Sequence, residues 1–265
     1  MKKVYISMGF IFCLYILTII IPIQNPKTVN MGSAFLSMSH EHLLGTDQFG
    51  RDIMSLMIYG FNRTVSVLLA AVAISMIFGL ILGICSGYFG GVVEIFARLF
   101  SDISMIIPSF VLALIATAKF GANPITIGIV LGVCDIGIYS NQAEALTKKL
   151  KGSEYIQAAQ LLCMSKSKIL FRHVFPKVVG PALTLMGGKA GSIVLAYASL
   201  TFIGLGTDTS APDWGTMLYQ YRTYLIDRPI LLLWPSLGIL LLALIFYYAF
   251  DNFNMSRSRE ELLYE

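Results

Sequence analysis

The sequence predicts an all-α integral membrane protein with six transmembrane helices. Hydrophobic residues make up 56% of the 265 residues, charged residues only 13%, and the mean hydropathy is +0.74. A soluble domain of this length cannot bury so much apolar surface. The apolar residues also form runs long enough to cross about 30 Å of hydrocarbon. The formal charge of +4 is small, and the basic residues cluster beside these apolar runs, so no nucleic-acid partner is expected.

The predicted spans form one membrane domain that covers the whole chain, 1–265. They are about 4–23, 64–86, 94–118, 122–142, 181–204 and 229–250. The first span follows Lys2 and Lys3 and has no small-x-small cleavage site, so we expect a retained helix and not a removed signal peptide. In the second span, Gly79 and Gly83 have the spacing that lets membrane helices approach closely.

The third and fourth spans carry carboxylates. Pro108 interrupts the third span, where Arg98 and Asp102 lie four residues apart and are expected to form a structural ion pair at the interface. The fourth span contains Asp135. A lone carboxylate is costly in hydrocarbon, which leaves two readings of Asp135: a place in a translocation pathway, or an interhelical hydrogen bond to a serine or tyrosine. Asp102 is a second pathway candidate.

The fifth span contains a sequence that imitates a nucleotide-binding loop. Gly187, Gly188 and Lys189 match the end of a Walker A motif, but that motif requires glycine at 183 and Ser or Thr at 190, where Leu183 and Ala190 stand. The sequence therefore has no P-loop. We expect no catalytic residues and no cofactor in this chain.

Histidines and cysteines give little support for a metal site. His40 and His42 flank Glu41 and are weak metal candidates, because residues two apart point in different directions in a helix or a strand and loop hydrogen bonding explains them as well. The cysteines have no metal-binding spacing and are expected to be reduced packing residues. They are Cys13, Cys85, Cys134 and Cys163.

A charge-rich stretch, about 143–180, separates the fourth and fifth spans. The pattern at its centre predicts two short helices. Ser153 can cap the first helix, in which apolar residues recur at helical spacing. The repeated residues are Tyr155, Ile156, Ala159 and Leu162. Pro176 ends the second periodic run. Periodicity alone fits equally well with an amphipathic helix lying on the membrane surface.

Particular residues in this stretch resemble the cytoplasmic EAA loop of permeases from binding-protein-dependent ABC importers, in the branch that imports peptides and nickel. The matching residues are Tyr155, Ala158, Ala159, Ser165, His173 and Pro176. Two positions differ: Gln157 replaces the glutamate of the family motif, and Cys163 replaces the usual glycine of the turn.

Two further segments resemble motifs of the same family. The run from His42 to Asp52 is similar to the H-x-L-G-T-D-x-x-G-R-D element before the second helix, and Gly204 to Gly215 is similar to the G-L-G…P-x-W-G loop. A fourth pattern, W-x-x-Y-A-R-x-x-R, is matched only by Tyr139; Glu144 occupies the position of its last arginine.

The resemblance implies a type I ABC importer permease fold with six helices. It also implies a second homologous permease, two ATP-binding cassette subunits that hydrolyse ATP, and an extracytoplasmic substrate-binding protein as partners, within membrane lipid. The charged stretch would dock as a coupling helix on an ATPase subunit, and the cargo would be small peptides or nickel and cobalt chelates. The alternatives are a secondary transporter or a membrane-embedded enzyme, although we see neither an inverted repeat nor convergent titratable groups.

The distribution of basic residues predicts the orientation of the chain. If both termini are cytoplasmic, eleven basic residues near the span ends lie inside and six outside, which agrees with the positive-inside rule. Those expected inside are Lys2, Lys3, Lys148, Lys149, Lys151, Lys166, Lys168, Arg172, Lys177, Arg257 and Arg259; those outside are Lys27, Arg51, Arg63, Lys119, Arg222 and Arg228. This orientation, in the bacterial cytoplasmic membrane, puts the charged stretch in the cytoplasm.

Overall fold

The computed structural model describes Thr18 and residues 28–121, 123–204 and 212–261, with side chains up to residue 248. The predicted first span, 4–23, lies outside the described residues except for Thr18, whose hydroxyl donates to Asn62 Oδ1 at 2.6 Å. Several other residues of the sequence predictions are also outside the described part of the chain. They are Lys2, Lys3, Cys13, Lys27, Leu205, Gly206 and the side chains of Arg257 and Arg259.

The described residues form an all-helical fold. Within them, a single isolated bridge between Thr46 and Asp52 is the only pairing of the β type. The helices are α1 (Ile53–Phe89), α2 (Gly91–Ile106), α3 (Ser109–Phe120), α4 (Pro124–Lys151), α5 (Glu154–Leu161), α6 (Lys166–Phe202), α7 (Trp214–Tyr221) and α8 (Ile230–Glu261). Four of these, α1, α4, α6 and α8, are long and apolar enough to cross a membrane, and the α2–α3 pair makes a fifth if it counts as one span.

The third predicted span, 94–118, is sharply bent. Helices α2 and α3 meet at 78°, because Pro108 has no N–H to continue α2 and forces the preceding residue, Ile107, into an extended conformation with φ −74° and ψ 122°. The prediction of an ion pair between Arg98 and Asp102 is wrong. Arg98 instead pairs with Glu94 and Glu144, while Asp102 is exposed.

Helices α1 and α4 pack against each other at very short range because both present glycines at the contact. A Cβ atom on Gly83 of α1 would lie 2.2 Å from the Ser140 carbonyl oxygen, and one on Gly132 of α4 would lie 2.6 Å from the Ala71 carbonyl oxygen. Real side chains do not fit at such distances. The small-residue spacing seen in the sequence at Gly79 and Gly83 therefore marks a true close approach of backbones.

Buried apolar side chains form two separate cores. The larger joins α1, α3, α4, α6, α7 and α8. The smaller joins the ends of α1 and α4 to the short helix α5 and the beginning of α6, through residues such as Tyr88, Ile156 and Ile169. The charged stretch between the fourth and fifth spans is therefore folded onto the helical bundle and is not a loose tether.

Helix α6 is continuous from the charged stretch into the membrane. It begins with an α-helical turn at Lys166–Ile169, passes through a π-helical turn at Leu170–Val174, and continues as α-helix through Phe175–Phe202. Pro176 is the second residue of this last section, so it does not end the helix as the sequence suggested. An inserted π turn absorbs one additional residue without breaking the helix.

Candidate functional site

The charged stretch is the main candidate site, and its first helix is positioned by backbone contacts. Ser153 occupies the N-cap, but its hydroxyl donates back to the Leu150 carbonyl oxygen, so the expected side-chain cap is absent. The Ser153 carbonyl oxygen accepts from the amides of Ile156 and Gln157, both at 3.1 Å. The Gln157 side-chain amide donates to the Gly152 carbonyl oxygen at 3.1 Å, which closes the entry to α5.

The predicted apolar stripe of α5 is divided between two faces. Ile156 is fully buried and Ala159 is 7% exposed, and both belong to the smaller core. Leu161 and Leu162, by contrast, are 85% and 79% exposed, and Ala158 is exposed beside them. One face thus fixes the helix to its own bundle, and the other presents apolar surface outward.

The turn after α5 has the geometry that glycine normally provides. Cys163 has φ +54°, in the left-handed region. Its amide donates to the Gln160 carbonyl oxygen at 3.0 Å, and the Met164 amide donates to the Ala159 carbonyl oxygen at 3.1 Å, the pair of bonds that defines a Schellman motif. A non-glycine residue in this conformation costs about 1–2 kcal/mol. Cys163 therefore preserves the turn of the family motif at an energetic cost.

Beyond the turn, three residues bring the two halves of the stretch together. The rings of Tyr155 and His173 lie 6.3 Å apart, and Lys177 Nζ is 4.3 Å from the centre of the Tyr155 ring. Ser165 is the N-cap of α6, where its carbonyl oxygen accepts from the Ile169 amide at 3.1 Å. Pro176 is exposed. Of the motif residues, Ala159 faces inward and His173 is half-buried, whereas Tyr155, Ala158 and Ser165 are exposed like Pro176.

A cluster of charged side chains lies at the start of the charged stretch. The nearly buried Glu144 carboxylate accepts from Ser86 Oγ at 2.7 Å, Arg98 Nη2 at 2.8 Å and Lys148 Nζ at 2.7 Å. Glu94 joins the cluster by pairing with both cations. The motifs predict no such role for Glu144; the available signal is its spacing of four from Lys148. The cluster ties α1, α2 and α4 together where the charged stretch begins.

The two pathway candidates lie in different environments. Asp102 is exposed on α2. Asp135 on α4 accepts from Lys189 Nζ on α6 at 3.1 Å, so its partner across the helices is a lysine and not the serine or tyrosine considered from sequence. Lys189 belongs to the Gly-Gly-Lys run that imitates a nucleotide loop. The signal that the sequence offered was a lysine within an apolar span, where a charge needs a partner or water.

At the other end of the bundle, the two remaining motif segments form one unit, which we call the cap (residues 30–52 and 212–221). Arg51 and Asp47 form a buried ion pair at 2.7 Å, and Arg51 Nη2 also donates to Gln220 Oε1 at 2.8 Å. The Trp214 indole N–H donates to the Met57 carbonyl oxygen at 3.0 Å, which anchors the second segment to α1. The cap therefore depends on a buried charge pair and an indole anchor.

The surroundings of two titratable side chains in the cap, Tyr221 and His42, are well defined. Burial raises the pKa of the Tyr221 phenol well above its ordinary value, and the neighbouring Asp47 carboxylate raises it further, so this phenol is neutral at physiological pH. His42 Nδ1 lies 3.1 Å from Asp52 Oδ1, which supports loop hydrogen bonding for His42, while His40 is exposed. Among the residues the structure describes, no group of three or more His, Cys, Asp or Glu side chains is placed to hold a metal ion.

Comparison with known proteins identifies the family of this chain. Residues 79–258 match the family described as "Binding-protein-dependent transport system inner membrane component". The chain is 32% identical over 206 residues to the dipeptide transport system permease protein DppC of Alkalihalophilus pseudofirmus, covering 78% of this chain and 68% of that protein. It is 29% identical over 208 residues to the glutathione transport system permease protein GsiD of Pectobacterium atrosepticum, covering 78% and 69%.

A third relative is also a transport system permease, and a solved transporter structure has a similar fold. The probable D,D-dipeptide transport system permease protein DdpC of Escherichia coli is 29% identical over 220 residues, covering 83% of this chain and 74% of its own length. The inward-facing structure of the MetNI methionine ABC transporter aligns with a TM-score of 0.59 at 14% identity, over 82% of this chain and 99% of that one, and supports the fold. The chain belongs to the family of binding-protein-dependent transport system inner membrane components, as a type I ABC importer permease of the peptide and nickel branch.

Proposed function

We propose that this chain is the permease subunit through which an ATP-driven importer moves small peptides into the cell. The observation that carries the proposal is the similarity to permeases named for dipeptide, glutathione and D,D-dipeptide transport over most of the chain. Nickel or cobalt chelates are the competing cargo. A second homologous permease, two ATP-binding subunits and an extracytoplasmic binding protein would complete the importer.

The chain would span the membrane six times, with 4–23 as the first span and the bent α2–α3 pair as one of the others. Residues 143–180 would form the cytoplasmic coupling loop, and Ala158, Leu161 and Leu162 would enter a groove on an ATP-binding subunit. The exposure of these side chains beside a firmly packed inner face supports this role. Apolar side chains presented on one face of a helix are the usual way that a helix binds in a groove.

The chemical work would be done by the partner subunits, because this sequence has no P-loop. ATP-driven closure of the ATPase pair would move the coupling loops together, and the helices would then open the pathway to alternate sides. A partner can drive such a change only by binding one arrangement of the helices more tightly than the other. The contacts of the smaller core, which join α5 to α1, α4 and α6, would carry the movement.

Thiol labelling tests the orientation. Cys163 is exposed, so an impermeant maleimide should label it only after the cells are opened if the charged stretch is cytoplasmic. In a Cys163→Ser background, a cysteine introduced at the exposed Ser37 should be labelled in intact cells once any outer membrane is permeabilised. The reverse pattern at both sites would show that the chain is inserted in the opposite orientation.

Uptake by a deletion strain tests the cargo. We expect loss of this permease to abolish import of labelled dipeptides, restored by the intact gene, with cellular nickel, cobalt and zinc unchanged. A strain that keeps normal dipeptide uptake but loses metal content would replace the peptide proposal with metal-chelate import. Both cargoes are measured in the same cells, so that a general loss of viability is not mistaken for the loss of one cargo.

A further inference from the structure

The ion pair between Asp135 and Lys189 lies deep within the membrane spans. Asp135 is eleven residues from the start of α4 at Pro124, and Lys189 is thirteen residues from the end of α6 at Phe202. At 1.5 Å per residue these positions are about 16 Å and 20 Å along their helices. A hydrocarbon core is about 30 Å thick, so both charges fall near its centre.

This pair has unused hydrogen-bonding capacity. The lysine ammonium has three donors and the carboxylate has two acceptor oxygens; for the described residues, the one bond found joins Lys189 Nζ to Asp135 Oδ1. The side chains of Lys189 and Asp135 are 27% and 18% exposed. Part of the remaining hydrogen-bonding capacity is therefore accessible from outside the helix contact.

Hydrocarbon cannot satisfy that accessible capacity, so the pair should face an aqueous space. Charged groups within membrane spans are expensive and normally face other protein or water. The surface beside Lys189 is also open: a Cβ atom on Gly188 would meet nothing within 4 Å, and Ser192, one turn along α6, is exposed. Room and polarity thus occur together at this depth.

We propose that Asp135 and Lys189 form a cargo subsite for zwitterionic small peptides, with the cargo's ammonium group pairing with Asp135 and its carboxylate with Lys189. This inference rests on the proposed peptide cargo. A dipeptide extends over about 7 Å, more than twice the 3.1 Å separation of the pair, so the two side chains separate as the cargo enters. Each charge then exchanges one partner for another of the same sign, and no charge is left unpaired within the membrane.

An ion pair of this kind lets the cargo bind and leave and does not retain it. In the empty pathway, Asp135 and Lys189 neutralise each other; with cargo bound, the peptide termini neutralise both. The cargo can leave because Asp135 and Lys189 pair again as it departs. The re-formed ion pair replaces the interactions that the two side chains made with the peptide termini. The chemistry predicts that blocking either peptide terminus weakens passage at the matching side chain.

The test uses the complete importer in vesicles, supplied with saturating amounts of loaded binding protein. In the Asp135→Asn/Lys189→Gln double variant, an uncharged side-chain hydrogen bond can replace the ion pair, so a purely structural role predicts normal transport. We expect instead that uptake of a free dipeptide falls at least tenfold, while the subunits copurify in the usual amounts. Lys119→Gln, at an exposed lysine on α3, is the matched control and should transport normally.

Single variants give a second readout that a structural role would not move. Asp135→Asn should remove the preference for a free over an acetylated amino terminus, and Lys189→Gln the preference for a free over an amidated carboxyl terminus. Normal dipeptide uptake by the double variant, or failure of its subunits to assemble, would overturn the subsite and leave the peptide cargo standing. Absence of dipeptide uptake by the wild-type importer would instead overturn the cargo and the subsite together.

Discussion

Replacing Leu161 and Leu162 together by glutamine is expected to reduce transport at least tenfold while the permease remains folded in the membrane. Both side chains are largely exposed, so their replacement removes little contact within this chain. Burying a leucine in a partner's groove is worth about 1.5–3 kcal/mol, and each 1.4 kcal/mol changes an association constant about tenfold. Glutamine keeps the length and helix propensity of leucine, so α5 should persist.

Copurification with the ATP-binding subunits and peptide uptake measure this effect. The matched control is Leu225→Gln/Ile226→Gln, which makes the same chemical change at two side chains that are 57% and 92% exposed at the opposite end of the bundle. The control should recover the ATP-binding subunits normally. Normal recovery with the Leu161/Leu162 variant as well would show that the outer face of α5 is not the coupling surface.

Replacement of Asp47 by alanine should lower the free energy of unfolding by about 3–5 kcal/mol, because it leaves the buried Arg51 guanidinium without its carboxylate. That is a large part of the stability of an ordinary domain. Asp47 also accepts from the Phe49 amide at 2.8 Å and the Arg51 amide at 2.9 Å, so the turn loses its internal hydrogen bonds as well. We expect little folded permease in membranes and a lowered Tm in detergent.

Two further variants separate the buried charge from other effects. Asp227→Ala, at an exposed aspartate, should change the free energy of unfolding by no more than about 0.5 kcal/mol. Asp47→Ala/Arg51→Ala removes both charges and should be less destabilised than the sum of the two single variants, which measures their coupling. Equal Tm values for wild type and Asp47→Ala would show that the pair does not hold the cap together.

Local chemistry in the sequence predicts much of the fold and the site. Apolar runs indicate the membrane class, Pro108 indicates the interruption in the third span, and Gly83 indicates close helix packing. The family motif places a turn where Cys163 stands, and the structure contains that turn, with Cys163 in the left-handed region. Each of these features depends on a residue's own conformational preferences or on its immediate neighbours, which the sequence displays directly.

Features that depend on which helices become neighbours are not visible in the sequence. Helical periodicity placed Ala159 on the same stripe as Leu162, but only the packing of α5 into the smaller core decides that Ala159 faces inward. Glu144 looked like a departure from an arginine pattern until Arg98, 46 residues away, proved to lie beside it. Lys189 was interpreted only as the end of a false nucleotide-loop motif, because its ion-pair partner, Asp135, is 54 residues away in the sequence.

The continuity of α6 gives the chain a mechanical lever. The helix runs unbroken for 37 residues, from the charged stretch to the far side of the bundle, a length of about 55 Å at 1.5 Å per residue. A tilt of about 10° around one end of a helix of this length moves the other end by roughly 10 Å. The π turn at Leu170–Val174 and Pro181 are the two places within α6 where such a tilt could be concentrated, because π turns and prolines are where helices bend.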